Sequence, residues 1–171
     1  MAITDTLLRV RRALLNLCDK LAPLAPALLR LAVGVVFVRT GWGKLSDLDK
    51  VTAFFTDLHI PMPALNAAVS ACTEFFGGIL IIAGLGTRLA ALPMAFTMVI
   101  AIITAKRDEI EGIASIIAFD EFAYFAIFIA LAITGAGALS LDALIARKLG
   151  ARSKLPAPAP LAVAPRAATH T

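Results

Sequence analysis

Apolar residues in this chain come in blocks instead of alternating with polar ones. Four blocks, residues 25–44, 65–86, 89–105 and 119–139, are predominantly apolar, and the charges within them are Arg30, Arg39, Lys44, Glu74, Asp120 and Glu121. About 20 apolar residues cross the hydrocarbon core of a bilayer, so each block predicts a transmembrane helix, the third only just long enough. A segment in lipid must satisfy its own backbone hydrogen bonds. The two-residue alternation of barrel strands is missing, which leaves helices. The expected fold is all-α, an integral membrane four-helix bundle with short amphipathic surface helices.

Outside the blocks the pattern changes. Residues 6–21 put Leu7, Leu14, Leu17 and Leu21 on one side among Arg9, Arg11, Arg12 and Lys20, as in a basic helix lying on a membrane surface. Residues 47–58 carry Leu48, Val51, Phe54, Phe55 and Leu58 at helical spacing before a break at Pro61-Met62-Pro63. Residues 108–117 behave similarly, with Ile110, Ile113, Ile116 and Ile117 opposite their acids. Both predict short helices covering the bundle. Gly84-Leu85-Gly86-Thr87-Arg88 is a turn so short that helices two and three must be antiparallel neighbours. Pro93 falls near the start of helix three, where a missing amide costs little. Three segments result: an amphipathic cytoplasmic segment (1–24), a four-helix membrane domain (25–149), and a tail (150–171). The tail is rich in Ala and Pro, and is expected to be disordered.

Composition agrees, with 60% hydrophobic and 16% charged residues where soluble domains have about half and about a quarter. The net charge of +4 is unevenly placed. Arg9, Arg11, Arg12, Lys20 and Arg30 precede the bundle, Arg88 sits in the tight turn, and Arg147, Lys148, Arg152, Lys154 and Arg166 follow the last block. Asp47, Asp49, Asp57, Asp108, Glu109 and Glu111 occupy the two other loops. By the positive-inside rule both termini of this multi-pass protein are expected to be cytoplasmic and the acidic loops to face outward. The charge is a topology signal, so the expected partner is the lipid bilayer and not nucleic acid. The charges at Arg9–Arg12, Asp19 and Lys20 interrupt any signal-peptide core, and Leu15-Asn16-Leu17 before Cys18 lacks the small residue of a lipoprotein cleavage site.

Against this background Glu74 stands out, a carboxylate in the middle of the second block. At a bilayer centre it costs on the order of 2.5–3.5 kcal/mol, so it needs a partner, a proton or access to water. Ala67, Ser70, Ala71, Gly77, Gly78 and Ile81 share its helical face, and such small residues let helices approach closely. Glu74 is therefore expected to point into the bundle, while Phe76 and Ile79 face lipid. Arg39, Lys44 and Lys106 are its candidate cations. Arg39 is rotated about 140° from Lys44, so Lys44 is favoured as the inward partner and Arg39 is expected to snorkel outward. Asp120 and Glu121 open helix four from the same side, with Tyr124 one turn above Asp120.

These residues predict an outward-opening polar pocket. Glu74, Lys44 and Tyr124 are the candidates for chemistry, and Lys44, Glu74, Trp42, Lys106, Asp120 and Glu121 the candidates for ligand binding. The competing reading is an ion-pair network of Glu74, Lys44 and Asp120 that only fixes helix packing. Trp42 suits an aromatic belt at the outer interface or a ring stacked on a ligand. Cys72 is turned about 160° from Glu74, Cys18 lies on another segment, and His59 and His170 sit in a loop and the tail, so no bound metal is expected. No glycine-rich phosphate loop or nucleophile triad is present.

Five stretches resemble the DoxX family of small bacterial membrane proteins. Helix one reads Arg30-Leu31-Ala32-Val33-Gly34 and then Thr40-Gly41-Trp42-Gly43-Lys44-Leu45. Helix two reads Thr73-Glu74-Phe75-Phe76-Gly77-Gly78, followed by Gly84-Leu85-Gly86-Thr87-Arg88-Leu89-Ala90-Ala91. The end of helix four reads Gly135-Ala136-Gly137-Ala138-Leu139-Ser140-Leu141-Asp142. The resemblance spans residues 28–149 and implies a four-helix protein of the cytoplasmic membrane. Relatives include subunits of a thiosulfate:quinone oxidoreductase, proteins linked to thiol-oxidative stress and neighbours of copper-related peptide biosynthesis genes. Quinone is thereby a candidate cofactor. Two departures, Thr40 and the region of Lys106, stand where many members carry histidine, which weakens histidine-based redox or metal chemistry. Two functions are open: a membrane subunit of a quinone-linked redox system (sulfur, thiol or oxidative-stress related) working with a redox partner protein, or a non-enzymatic accessory or scaffold protein tied to copper-peptide biosynthesis or metal stress. A homo-oligomer is compatible with either.

Overall fold

A computed structural model describes residues 2–148 and 150. The rest of the Ala/Pro-rich tail, with Arg152, Lys154, Arg166 and His170, lies outside the described residues. Among the described residues eight α-helices follow one another: α1 (Ala2–Leu21), α2 (Leu24–Ser46), α3 (Leu48–Asp57), α4 (Pro63–Ala83), α5 (Thr87–Thr104), α6 (Ile113–Ala118), α7 (Asp120–Thr134) and α8 (Leu141–Lys148). A 3-10 turn, Arg107–Glu109, separates α5 from α6.

Helices α2, α4 and α5 are long and apolar enough to cross a membrane. Their exposed faces are apolar, with Val35, Val69, Phe76, Leu92 and Phe96 all turned outward, as a bilayer requires. The core is built from Val33 and Phe37 of α2, Ile81 of α4, Met94 and Met98 of α5, and Phe128 and Leu131 of α7. The most extensive packing is α2 on α4 and α5 on α7, with α4–α5 and α2–α7 contacts closing the bundle. The α2–α4 contact is close because its crossing residues are small. A Cβ at Gly41 would lie 2.7 Å from Phe75 Cα, and one at Gly78 would lie 2.9 Å from the Val38 amide nitrogen.

Two expected boundaries move. The fourth apolar block does not form one helix over 119–139, because α7 stops at Thr134. Its 15 residues span only ~22 Å. Gly135 (φ +80°) and Gly137 (φ +75°) take backbone conformations that end the helix, and Gly137 lies against Pro26. Residues 108–117 likewise do not form one helix. Extended backbone at Gly112 separates the 3-10 turn from α6. The predicted amphipathic segment at the N-terminus is the helix α1, whose Leu7, Leu14, Leu17 and Leu21 are all exposed. Helix α3 begins at an N-cap in which the Asp47 side chain accepts the Lys50 amide.

Candidate functional site

Glu74 lies midway along α4 on the face made by Ala67, Ala71, Gly77, Gly78 and Ile81, all of them buried. Helical spacing alone places it there, and it is 3% exposed. Gly41 lets α2 press onto the backbone at Phe75, which brings the next turn of α2 within reach of the carboxylate. Lys44 Nζ donates to Glu74 Oε1 at 2.5 Å. Ser70, one turn before Glu74, donates to the same oxygen at 3.4 Å, and Lys44 Nζ also lies 3.5 Å from Ser70 Oγ. Thr40 Oγ1 is 3.2 Å from Glu74 Oε2 and 3.2 Å from the Phe37 carbonyl. Its one hydroxyl hydrogen serves these two acceptors in turn.

The pair is unequally placed. The Glu74 side chain is 4% exposed and that of Lys44 31%, so the carboxylate is dry and the ammonium keeps contact with its surroundings. Beside Thr40 a cavity of about 420 Å³ is lined by Val36, Arg39 and Thr40. Arg39 is exposed, as snorkelling requires, and its place on this cavity keeps it close to the pair.

The remaining candidates do not join this cluster. Lys106 donates to both Glu109 oxygens at 3.0 and 3.1 Å and lies 5.6 Å from the centre of the Phe119 ring. The hydrogen bond to Glu109 raises its pKa; desolvation opposes the rise, and the weaker effects of the charges on Glu109, Glu121 and Asp120 add to it. Lys106, Glu109, Asp120 and Glu121 thus make a second charged group where α5 ends and α7 begins. Among the described residues no hydrogen bond or ion pair links that group to Glu74. The candidate residues thus fall into two hydrogen-bonded groups, because the break after α5 leaves Lys106 next to Glu109. Tyr124 packs edge-on against Phe37, ring centres 5.2 Å apart, at the rim of the core. Trp42 is 61% exposed and tilts over Phe75 at 5.7 Å, which suits the interfacial belt.

Arg30 is the residue that sequence reasoning misplaced. Counted as one more topological charge, it is in fact buried. Its Nε donates to the Ile81 carbonyl at 3.0 Å, Nη2 to the Ile82 carbonyl at 3.2 Å, and Nη1 to the Ala136 carbonyl. It thereby caps the C-terminal end of α4, where the Ile81 carbonyl also accepts the Gly84 amide, and holds the segment after α7. The signal was available: Arg30, Val33, Gly34, Phe37 and Gly41 follow helical spacing on one face. At the same end Asp142 accepts the Gly86 amide through both carboxylate oxygens at 3.0 Å and donates its own amide to the Gly84 carbonyl at 3.1 Å. The five family-like stretches therefore converge on two places, the Lys44–Glu74 pair and the Arg30–Asp142 end of the bundle.

The family model described as DoxX matches residues 25–107. A Bacillus subtilis (strain 168) protein named "Putative oxidoreductase CatD" is 35% identical over 117 residues, covering 67% of this chain and 82% of that one. The Escherichia coli (strain K12) inner membrane protein YphA is 34% identical over 125 residues, covering 70% and 89%. The inner membrane protein YqjF of the same organism is 30% identical over 130 residues, covering 75% and 98%. No solved structure matches the chain.

Proposed function

Because the chain belongs to the DoxX family of membrane proteins, we propose that it is a membrane subunit of a quinone-linked redox system whose working site is the Lys44–Glu74 pair. The supporting observation is the asymmetry of that pair: a dry carboxylate held by three donors, and a half-open ammonium near a cavity lined by Val36, Arg39 and Thr40. One similar protein carries oxidoreductase in its name, which favours redox chemistry.

A quinone supplies a flat apolar body and ring oxygens that take up electrons and protons. Val36 offers an apolar wall for the body, and Arg39, Thr40 and Lys44 offer polar groups for an oxygen. Lys44 carries three N–H donors, two of them directed at Glu74 and Ser70. The third is free to orient an oxygen that gains negative charge. When the Thr40 hydroxyl turns to the Phe37 carbonyl, Glu74 Oε2 loses its donor and can hold a proton there. Electrons come from a partner protein or from a reduced solute. In this reading both termini are cytoplasmic, the basic segments lying inside and the acidic loops outside.

Purified protein, alone and with its co-purifying partners, is expected to bind quinone, and Glu74→Gln to assemble normally while losing at least about tenfold in quinone-linked turnover. Wild-type protein that neither binds nor reduces quinone removes the reading. The second reading, an accessory scaffold, draws on the saturation of Glu74 by donors of its own chain. It predicts that Glu74→Gln keeps both assembly and cellular function.

A further inference from the structure

Where α4 turns into α5, remote from Lys44, the ends of α7 and α8 close a second cavity of about 500 Å³. Its lining includes Gly86, Arg88, Leu89, Thr134, Ser140 and Asp142. The polar groups divide by what they can still do. Arg88 is exposed, and its guanidinium has no hydrogen-bond or ion-pair partner among the described residues. It passes beside Gly135, where a Cβ would stand 2.9 Å from Arg88 Nε, so glycine there makes room for it. The hydroxyls of Thr134 and Ser140 already donate, to the Ala130 and Gly137 carbonyls at 2.7 Å each, and retain only acceptor capacity. Asp142 accepts one amide with both oxygens, which leaves carboxylate lone pairs unused.

The cavity therefore presents one unpaired cationic donor, Arg88, on one side and an anionic acceptor set on the other; Arg30 also acts on Asp142 by its charge, but its guanidinium donates to three carbonyls. A simple anion would gain Arg88 and be repelled by Asp142, and a simple cation would meet the reverse. A molecule carrying a phosphate next to an ammonium satisfies both walls. Leu89 adds a third requirement, since it is 76% exposed directly beside Arg88, on a helix that crosses the membrane. Basic pockets between membrane helices bind anionic lipid headgroups, and the added carboxylate of Asp142 suits this one to a headgroup that also carries an ammonium.

We propose that this cavity holds the headgroup of a zwitterionic bilayer phospholipid, its phosphate on Arg88, its ammonium on Asp142 and its acyl chains along Leu89. Free phosphoethanolamine shares the two charges and lacks the contact with Leu89.

The test is native mass spectrometry of the full chain in detergent, after exchange into mixed micelles of phosphatidylethanolamine and phosphatidylglycerol. Phosphatidylethanolamine is expected to be retained about tenfold over phosphatidylglycerol, and Arg88→Gln to lose about tenfold of that retention. Asp142→Asn keeps an oxygen for the Gly86 amide and is expected to erase the preference between the two lipids. Arg88→Gln removes no hydrogen bond of the fold, so its retention can be read on folded protein, with helical content as the check. Unchanged retention in Arg88→Gln overturns the proposal. Equal or stronger retention of phosphatidylglycerol by wild type overturns it in favour of an anionic-lipid site. Displacement of the lipid by an equimolar amount of phosphoethanolamine overturns it in favour of a soluble ligand.

Discussion

Glu74 has both carboxylate oxygens engaged, and that defines what its partners are worth. Replacing Lys44 by Met leaves a buried carboxylate with only Ser70 and Thr40, and is expected to cost about 3 kcal/mol in reversible denaturation from detergent. Replacing both members, Lys44→Met with Glu74→Leu, should recover most of that loss, since an apolar pair of similar volume removes the uncompensated charge. Thr87 is the opposite case. Its Oγ1 is buried without a hydrogen-bond partner among the described residues, so Thr87→Val keeps the shape, drops the unpaired hydroxyl and should stabilise by ~1 kcal/mol. Lys106 sets a limit on pH effects. Its pKa is raised by Glu109, so the contribution of that pair is complete below the ordinary lysine value and is lost only as pH rises through the raised one. The difference in melting temperature between wild type and Lys106→Met should therefore stay constant through neutral pH and vanish in strong alkali.

At the level of elements, the contact between α2 and α4 depends on glycines whose missing side chains are the fit. Gly41→Ala is expected to destabilise by ~1–3 kcal/mol, the usual range for overpacking. Gly86 has open space around its Cβ position and a φ of +57°, so Gly86→Ala should cost only the left-handed backbone term of ~1 kcal/mol. Thermal unfolding in one detergent compares the two directly. Much of this was legible beforehand. The face that buries Glu74 follows from 3.6-residue spacing, and Gly84-Leu85-Gly86 announces the antiparallel turn. The C-terminal boundary of α7 was not legible, because Ala136, Ala138 and Leu139 stay apolar after Gly135 has ended the helix, and hydropathy registers polarity and not backbone direction. Nor was the split of the charged residues into two groups, since that depends on where the chain goes after Lys106, which no periodicity records.

At the level of the molecule, three membrane-length helices and a shorter α7 enclose the core, and the remaining helices lie outside it. If both termini are cytoplasmic, a membrane-impermeant maleimide should label Cys18, exposed on α1, only after the inner membrane is permeabilised. Cys72, exposed midway along α4, should stay unlabelled on either side because lipid covers it. Labelling of Cys18 in intact cells would reverse the topology. Arg30 connects this scale to biosynthesis. It lies in α2, which is made before α4 and α7, yet the carbonyls it binds belong to residues 81, 82 and 136. Until those residues arrive, its charge must stay near the membrane surface, and a chain that stops before residue 136 cannot complete the set. Arg30 can thus be fully paired only in a chain that extends past residue 136. Chains truncated before Gly135 should be cleared by membrane quality control faster than full-length chains, and Arg30→Met should reduce that difference.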